Sequence, residues 1–186
     1  LEDVTFRISS GERVGIIGRV GSGKTTVGRL IAGFYDPGDG KVLIDDIDLR
    51  QCDPADLRKG LGFVLQDTDL FFGKLRDNIA LGYPEASDEE IVKASRLAGV
   101  ESFIAGHPLG YEMPVAEGGK SLSGGQKQAI GLARALIRNP AILFLDEPTA
   151  HFDVRSEAEF LDRLKSISTD TKTFIISSHR MSVLNF

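Results

Sequence analysis

The sequence predicts an α/β fold: a parallel sheet covered on both faces by helices, with a mostly helical insertion ahead of its later strands. Three observations carry this. Four apolar runs of strand length, Val14 to Ile17, Leu61 to Leu65, Ala141 to Leu145 and Thr173 to Ser177, read as strands buried on both faces. Helical periodicity separates them, over residues 26–32, 123–138 and 157–166. Strands that alternate with helices join by crossovers, and crossovers place helices on both sides of a parallel sheet.

Taken in order, Val4, Phe6 and Ile8 alternate with polar residues and predict a first strand, which the turn Ser9-Ser10-Gly11 separates from Val14 to Ile17. Gly18 to Thr25 follows, and Val27, Leu30 and Ile31 recur at helical spacing behind it. Pro37-Gly38-Asp39-Gly40 forms a turn before a strand over Lys41 to Ile44. Asp53 and Pro54 stand as N-cap and first residue of a short helix through Lys59. From Asp67 to about Arg138 the texture turns helical. Ser87 and Glu90 have capping-box spacing, with Ile91, Ala94, Leu97 and Ala98 on one face behind them. A second helix starts near Ser123 and buries Ala129, Ile130, Ala133, Leu136 and Ile137. Residues 1–66 and 139–186 are therefore expected to form one core, and 67–138 a helical subdomain.

The 186 residues suit one domain with a full core, and 22 Lys and Arg against 27 Asp and Glu leave a formal charge of −5. Mild acidity argues against broad nucleic-acid binding. Cys52 has no second cysteine to pair with, which points to a reducing compartment, and the Cys and His spacing offers no zinc site. No apolar run approaches the ~18 residues of a transmembrane helix. Glycine is unevenly placed: of 21, nine fall in the first forty residues, four between Gly118 and Gly125, and none after Gly131. Such clusters mark backbone that approaches something closely.

The first cluster is Gly18-Arg19-Val20-Gly21-Ser22-Gly23-Lys24-Thr25, a match to G-x-x-x-x-G-K-[ST] between a predicted strand and a predicted helix that opens at Thr26. Glycines there leave backbone N–H groups free to converge on an anion, and the positive end of the helix adds attraction. Lys24 would hold β/γ-phosphates as a point charge and the Thr25 hydroxyl would ligate Mg²⁺. Ala141 to Leu145 ends in Asp146 and Glu147, adjacent acids that point to opposite faces of a strand and so suit different roles: Asp146 as metal ligand, Glu147 as the general base that polarises water. Leu122-Ser123-Gly124-Gly125-Gln126 opens the second helix, so its serine hydroxyl and glycine N–H groups form a second anion site by the same physics, or an ordinary N-cap.

With these motifs in this order, the chain resembles the nucleotide-binding domain of ATP-binding-cassette proteins over essentially its whole length. The resemblance implies a P-loop NTPase (RecA-like) core with an inserted helical subdomain. It makes Gly18 to Thr25 the Walker A motif, Gln66 the Q-loop, Leu122 to Gln126 the signature motif, Ile142 to Asp146 with Glu147 the Walker B motif, and His179 the switch histidine. Two such domains pair head-to-tail in that family, so each ATP lies between one protomer's phosphate loop and the other's signature helix. By the same resemblance Gln66 meets Mg²⁺ or the attacking water, His179 the γ-phosphate, and Asp153 belongs to the D-loop that completes the nucleotide site. The family's D-loop reads Ser-Ala-Leu-Asp; here Ala150 and His151 depart from it while Asp153 is retained. His107, before Pro108, reads as a surface loop residue.

Residues 67–79 resemble the exporter segment that docks a membrane domain, and Ala116-Glu117-Gly118-Gly119 the exporter loop before the signature. His107 to Met113 together with Gly124 to Ala129 are similar to type I protein-secretion ATPases. The resemblance thus implies an ATPase at the cytoplasmic face of a membrane, with a transmembrane domain on the same longer chain and an adenine-stacking aromatic upstream of Leu1. A soluble clamp of DNA repair or chromosome organisation is the alternative, disfavoured because no long coiled-coil insertion is present. A GTPase would need an N-K-x-D element, which the sequence lacks.

Overall fold

A computed structural model describes residues 1–150, 152–167 and 172–185. Its elements are β1 (Arg13–Ile17), α1 (Lys24–Ile31), β2 (Leu43–Ile44), β3 (Ile47–Asp48), α2 (Pro54–Gly60), β4 (Leu61–Val64), β5 (Gly73–Lys74), α3 (Leu75–Ile79), α4 (Asp88–Ala98), α5 (Glu101–Ile104), β6 (Pro114–Val115), α6 (Gly124–Leu136), β7 (Ile142–Asp146), α7 (Val154–Ser166) and β8 (Thr173–Ser178). Short 3-10 turns link several of them.

The four apolar strands pair in the order β1-β8-β7-β4, all parallel. Both faces are covered, which is why these strands are apolar at consecutive positions. Phe144 and Ile175 point into the cluster that holds Val27 and Ile31 of α1. Their neighbours Leu143, Leu145, Phe174 and Ile176 join the opposite cluster, with Ile130 and Ala133 of α6 and Leu161 and Leu164 of α7. Ile17 is registered with Ser178 and Asp146 with Ser177, so three strands end level. Bonds from Gly18 N to Ser178 O (3.2 Å) and from Glu147 N to Ser177 O (3.0 Å) carry the pairing one residue past the strands.

Local chemistry sets the helix starts. Asp53 accepts from Ala55 N ahead of Pro54. Ser87 with Glu90, and Ser123 with Gln126, form complete capping boxes.

Three expectations change. Val4 to Ile8 form no strand, since among the described residues no strand pairs with them; Val4 and Phe6 stay half exposed while Ile8 packs beside α1. The expected strand over Lys41 to Ile44 shrinks to β2, paired with β3 across Asp45 and Asp46, whose φ values of 50° and 63° make a tight two-residue hairpin off the main sheet. Within 67–138 the antiparallel pair β5–β6 and the five-residue α3 are additions that periodicity does not register at such lengths.

Helix α1 lies close on the sheet because Gly28 has no side chain; a Cβ there would fall on the Phe144 ring. That ring is fully buried and stacked on Phe63, with centroids 5.0 Å apart. Overpacking costs about 1–3 kcal/mol, more than the ~1 kcal/mol alanine gains over glycine in a helix. Gly28→Ala is therefore expected to lower stability in urea unfolding, and Phe144→Leu in the same chain to restore most of it.

Candidate functional site

Because β1, β8 and β7 end level, the residues that follow them share one edge of the sheet, where parallel α/β sheets hold their ligands. After β1 the chain makes a loop whose shape depends on glycine. Gly21 and Gly23 take φ of 82° and 94°, and a Cβ on Gly18 would lie 2.5 Å from Ser22 Oγ. The loop closes over Lys24, which is 7 % exposed and donates to the carbonyls of Gly18 (2.8 Å) and Arg19 (3.1 Å). Arg19, Val20, Gly21, Ser22 and Thr26 face outward and Thr25 is half-buried. A cleft of about 470 Å³ runs beside this loop, lined in part by Phe6, Gly15, Ser22, Lys24 and Val27.

Asp146 and Glu147 part where the strand ends. Asp146 is the last residue of β7, is buried, and accepts a short hydrogen bond from Ser177 Oγ on β8. Glu147 takes φ of 46°, a left-handed conformation costing on the order of 1–3 kcal/mol in a non-glycine residue. That turn points its carboxylate back along the edge. Oε1 lies 3.2 Å from Lys24 Nζ, and Oε2 lies 2.8 Å from His179 Nδ1 and accepts from His179 N at 3.3 Å. Lys24, Glu147 and His179, far apart in sequence, thus form one continuous chain of polar contacts. Thr25 and Asp146 offer the hard oxygen donors that Mg²⁺ requires.

Gln66 is exposed just beyond β4, on the same edge, with its backbone carbonyl bound by Gln128 of α6. Ser123 spends its hydroxyl as acceptor from Gln126 N, and Gln126 Oε1 accepts from Ser123 N. Gly124 and Gly125 therefore begin α6 with first-turn N–H groups at an open surface. Among the described residues no hydrogen bond or ion pair joins 123–126 to 18–26. The two glycine clusters lie on separate parts of one chain.

Asp153 caps α7 by accepting from Arg155 N and Ser156 N, both at 2.9 Å. The backbone bond from Ser156 first, then its hydroxyl, holds the Asp153 carboxyl below the usual range. His151 lies outside the described residues. His107 sits in a turn and accepts from Leu109 N through Nδ1.

Arg180, missed at the sequence level, reaches from the residue after His179 to the carbonyls of Ala150 (3.3 Å) and Phe152 (3.4 Å) and pairs with buried Glu157. Ser177 behind Asp146 and Gln128 behind Gln66 were missed too. Each acts on a partner tens of residues away, and no local pattern marks it.

Residues 1–150 match the ABC transporter family. The chain is 43 % identical over 184 residues to the putative multidrug export ATP-binding/permease protein YgaD of Bacillus subtilis, covering 99 % of this chain and 32 % of that protein. It is 48 % identical over 184 residues to the cyclolysin secretion/processing ATP-binding protein CyaB of Bordetella pertussis, covering 99 % of this chain and 26 % of the relative. The chain thus spans about a quarter to a third of the length of these relatives. The solved structure of a bacterial Atm1-family ABC exporter with ATP bound superposes with a TM-score of 0.89 at 41 % identity, covering 96 % of this chain and 31 % of that one. A family match across residues 1–150 and a fold shared with an ABC exporter make this chain a member of the ABC transporter family.

Proposed function

We propose that the chain is the ATP-binding and ATP-hydrolysing domain of an ABC exporter, acting as a pair of domains at the cytoplasmic face of a membrane. The contact chain Lys24–Glu147–His179 at the mouth of the glycine loop carries this reading. Residues 1–66 and 139–186 form the catalytic lobe, and 67–138 the helical lobe that presents the signature.

In this reading the backbone of Gly18 to Lys24, with Arg19, Val20, Gly21, Ser22 and Gly23 between, surrounds the β-phosphate, and Thr25 and Thr26 at the start of α1 add hydroxyl donors. Lys24 exchanges Glu147 Oε1 and its two carbonyl partners for phosphate oxygens. Glu147, released from Lys24, takes a proton from the attacking water, with His179 holding its other oxygen. Thr25, Asp146 and Gln66 would hold Mg²⁺, which neutralises phosphate charge during transfer. Ser177 keeps the Asp146 carboxylate oriented for that role.

Ser123, Gly124, Gly125 and Gln126 stand apart from the loop of their own chain, which favours their serving a nucleotide held by a second copy, with Asp153 at the junction. For the membrane partner, the segment Leu70 to Ile79 supplies the surface. Leu70 is buried, whereas Phe71 and Phe72 are 55 % and 84 % exposed. Buried Asn78 holds this outward turn by accepting from Phe71 N and donating to Phe71 O and Lys74 O. Likeness to CyaB and to the RTX-III toxin translocation ATP-binding protein of Actinobacillus pleuropneumoniae, the latter 45 % identical over 184 residues, favours type I protein secretion over other export.

Glu147→Gln is expected to keep ATP binding, lower phosphate release by about 10²- to 10⁴-fold and trap an ATP-bound dimer on gel filtration; unaltered steady-state hydrolysis removes Glu147 as the base. Ser123→Arg in the full-length dimer is expected to suppress hydrolysis while each phosphate loop still binds nucleotide. Normal hydrolysis by that variant would show that the site is complete within one chain.

A further inference from the structure

Helix α6 carries a second set of polar contacts, on the side turned towards the chain after β4. Gln128 is 4 % exposed, and its Nε2 donates to Leu65 O at 3.3 Å and to Gln66 O at 2.5 Å. Its Oε1 accepts from Thr68 Oγ1 at 3.3 Å. Since carbonyls only accept, the amide has one orientation that satisfies all three partners. One turn further on, glycine at 131 lets Thr68 lie against the helix; a Cβ there would be 2.6 Å from Thr68 Oγ1. Next, Arg134 donates from Nε to Asn78 O (2.9 Å) and from Nη1 to Asp69 O (3.1 Å). The backbone of residues 65–69 is thus hydrogen-bonded from two positions on one helix, Gln128 and Arg134, with Gly131 between them leaving room for Thr68.

Among the described residues no strand pairing extends to this segment. β4 ends at Val64, and its registered pairing with β7 ends there too, at Leu145. Gln66 therefore leaves the sheet with an exposed side chain, and the buried amide of Gln128 anchors its main chain. The same helix starts at Gly124 behind its N-cap Ser123, about one turn before Gln128.

We propose that Gln128 is a positioning residue for Gln66: it sets where the Gln66 side chain stands on the catalytic edge and makes that position move with the signature helix. This rests on the reading of Gln66 as a residue that meets metal or attacking water. A carbonyl held by a buried amide follows the helix, because breaking the bond leaves the buried Gln128 donor without a partner. A displacement of α6 on meeting a second chain is thereby delivered to Gln66 without passing through the sheet. Lys24 and the glycine loop follow β1, at the opposite edge of the sheet from β4, and among the described residues no hydrogen bond joins them to Gln128.

The test is a double-mutant cycle in the full-length membrane protein, read as kcat, KM and nucleotide affinity. Gln128→Ala is expected to lower kcat by about 10- to 100-fold, with KM and the Kd for a fluorescent ATP analogue unchanged within about twofold. In a Gln66→Ala background the same change should add no more than about a twofold loss, because the two residues act as a unit. A multiplicative loss in the double variant, an equal loss of nucleotide affinity, or an unaltered kcat for Gln128→Ala overturns the proposal. Should Gln128→Ala not accumulate, Gln128→Met keeps the buried volume without the donor, and the same outcomes decide. Gln66→Ala alone reads the underlying assignment: unchanged hydrolysis there overturns the role of Gln66, and that of Gln128 with it.

Discussion

Parallel pairing of β1, β8 and β7 in level register is the constraint on which the site depends. A strand end is where the sheet stops dictating direction, so the residues just past it turn out while still anchored by the last rung. Gly18, Glu147 and His179 all occupy such positions, and the bonds from Gly18 N and Glu147 N to β8 carbonyls keep the first two on the ladder as they turn. Apolar side chains on both faces make the register hard to slip, since a one-residue shift would exchange the α1-facing Phe144 and Ile175 with the residues facing α6 and α7. The geometry between Lys24 and Glu147 is thereby set by core packing far from the solvent edge.

Strain at Glu147 fits the same frame. A left-handed glutamate is expensive in isolation, yet here its backbone N–H is bonded to Ser177 O and both carboxylate oxygens have partners. The surrounding contacts over-determine the turn, which is the condition under which such a conformation persists. Ser177 serves both acids at once, its hydroxyl binding Asp146 and its carbonyl binding Glu147 N. Arg180, next to His179, then ties this edge to the carbonyls of Ala150 and Phe152 and to the first turn of α7.

Much of this was legible in the sequence wherever the governing chemistry is local. Gly18 to Thr25 is readable because backbone that must bend left-handed and approach an anion admits few residue types. Ser87 and Glu90 announce their capping box at fixed spacing, and the apolar runs announce strands with two buried faces. Reading failed where pairing partners decide the outcome. Alternation at Val4, Phe6 and Ile8 describes a strand, yet a strand exists only if a neighbour accepts its hydrogen bonds. The two-residue pairs β2–β3 and β5–β6 are too short to carry a period. Gln128 and Ser177 look like ordinary polar residues in a helix and a strand, and their partners, 62 and 31 residues away, appear only after folding.

The outward turn at Phe71 and Phe72 has a consequence for association. A buried side chain, Asn78, fixes the backbone at Phe71, a residue that faces water. Full burial of a phenylalanine is worth roughly 1.5–3 kcal/mol, most of which Phe72 and about half of which Phe71 forgoes. Because the backbone is already immobilised, whatever covers these rings meets a preorganised surface and the ordering entropy has been spent during folding. Any partner that covers these rings would gain affinity from hydrogen bonds made by Asn78, which is itself buried beneath the surface.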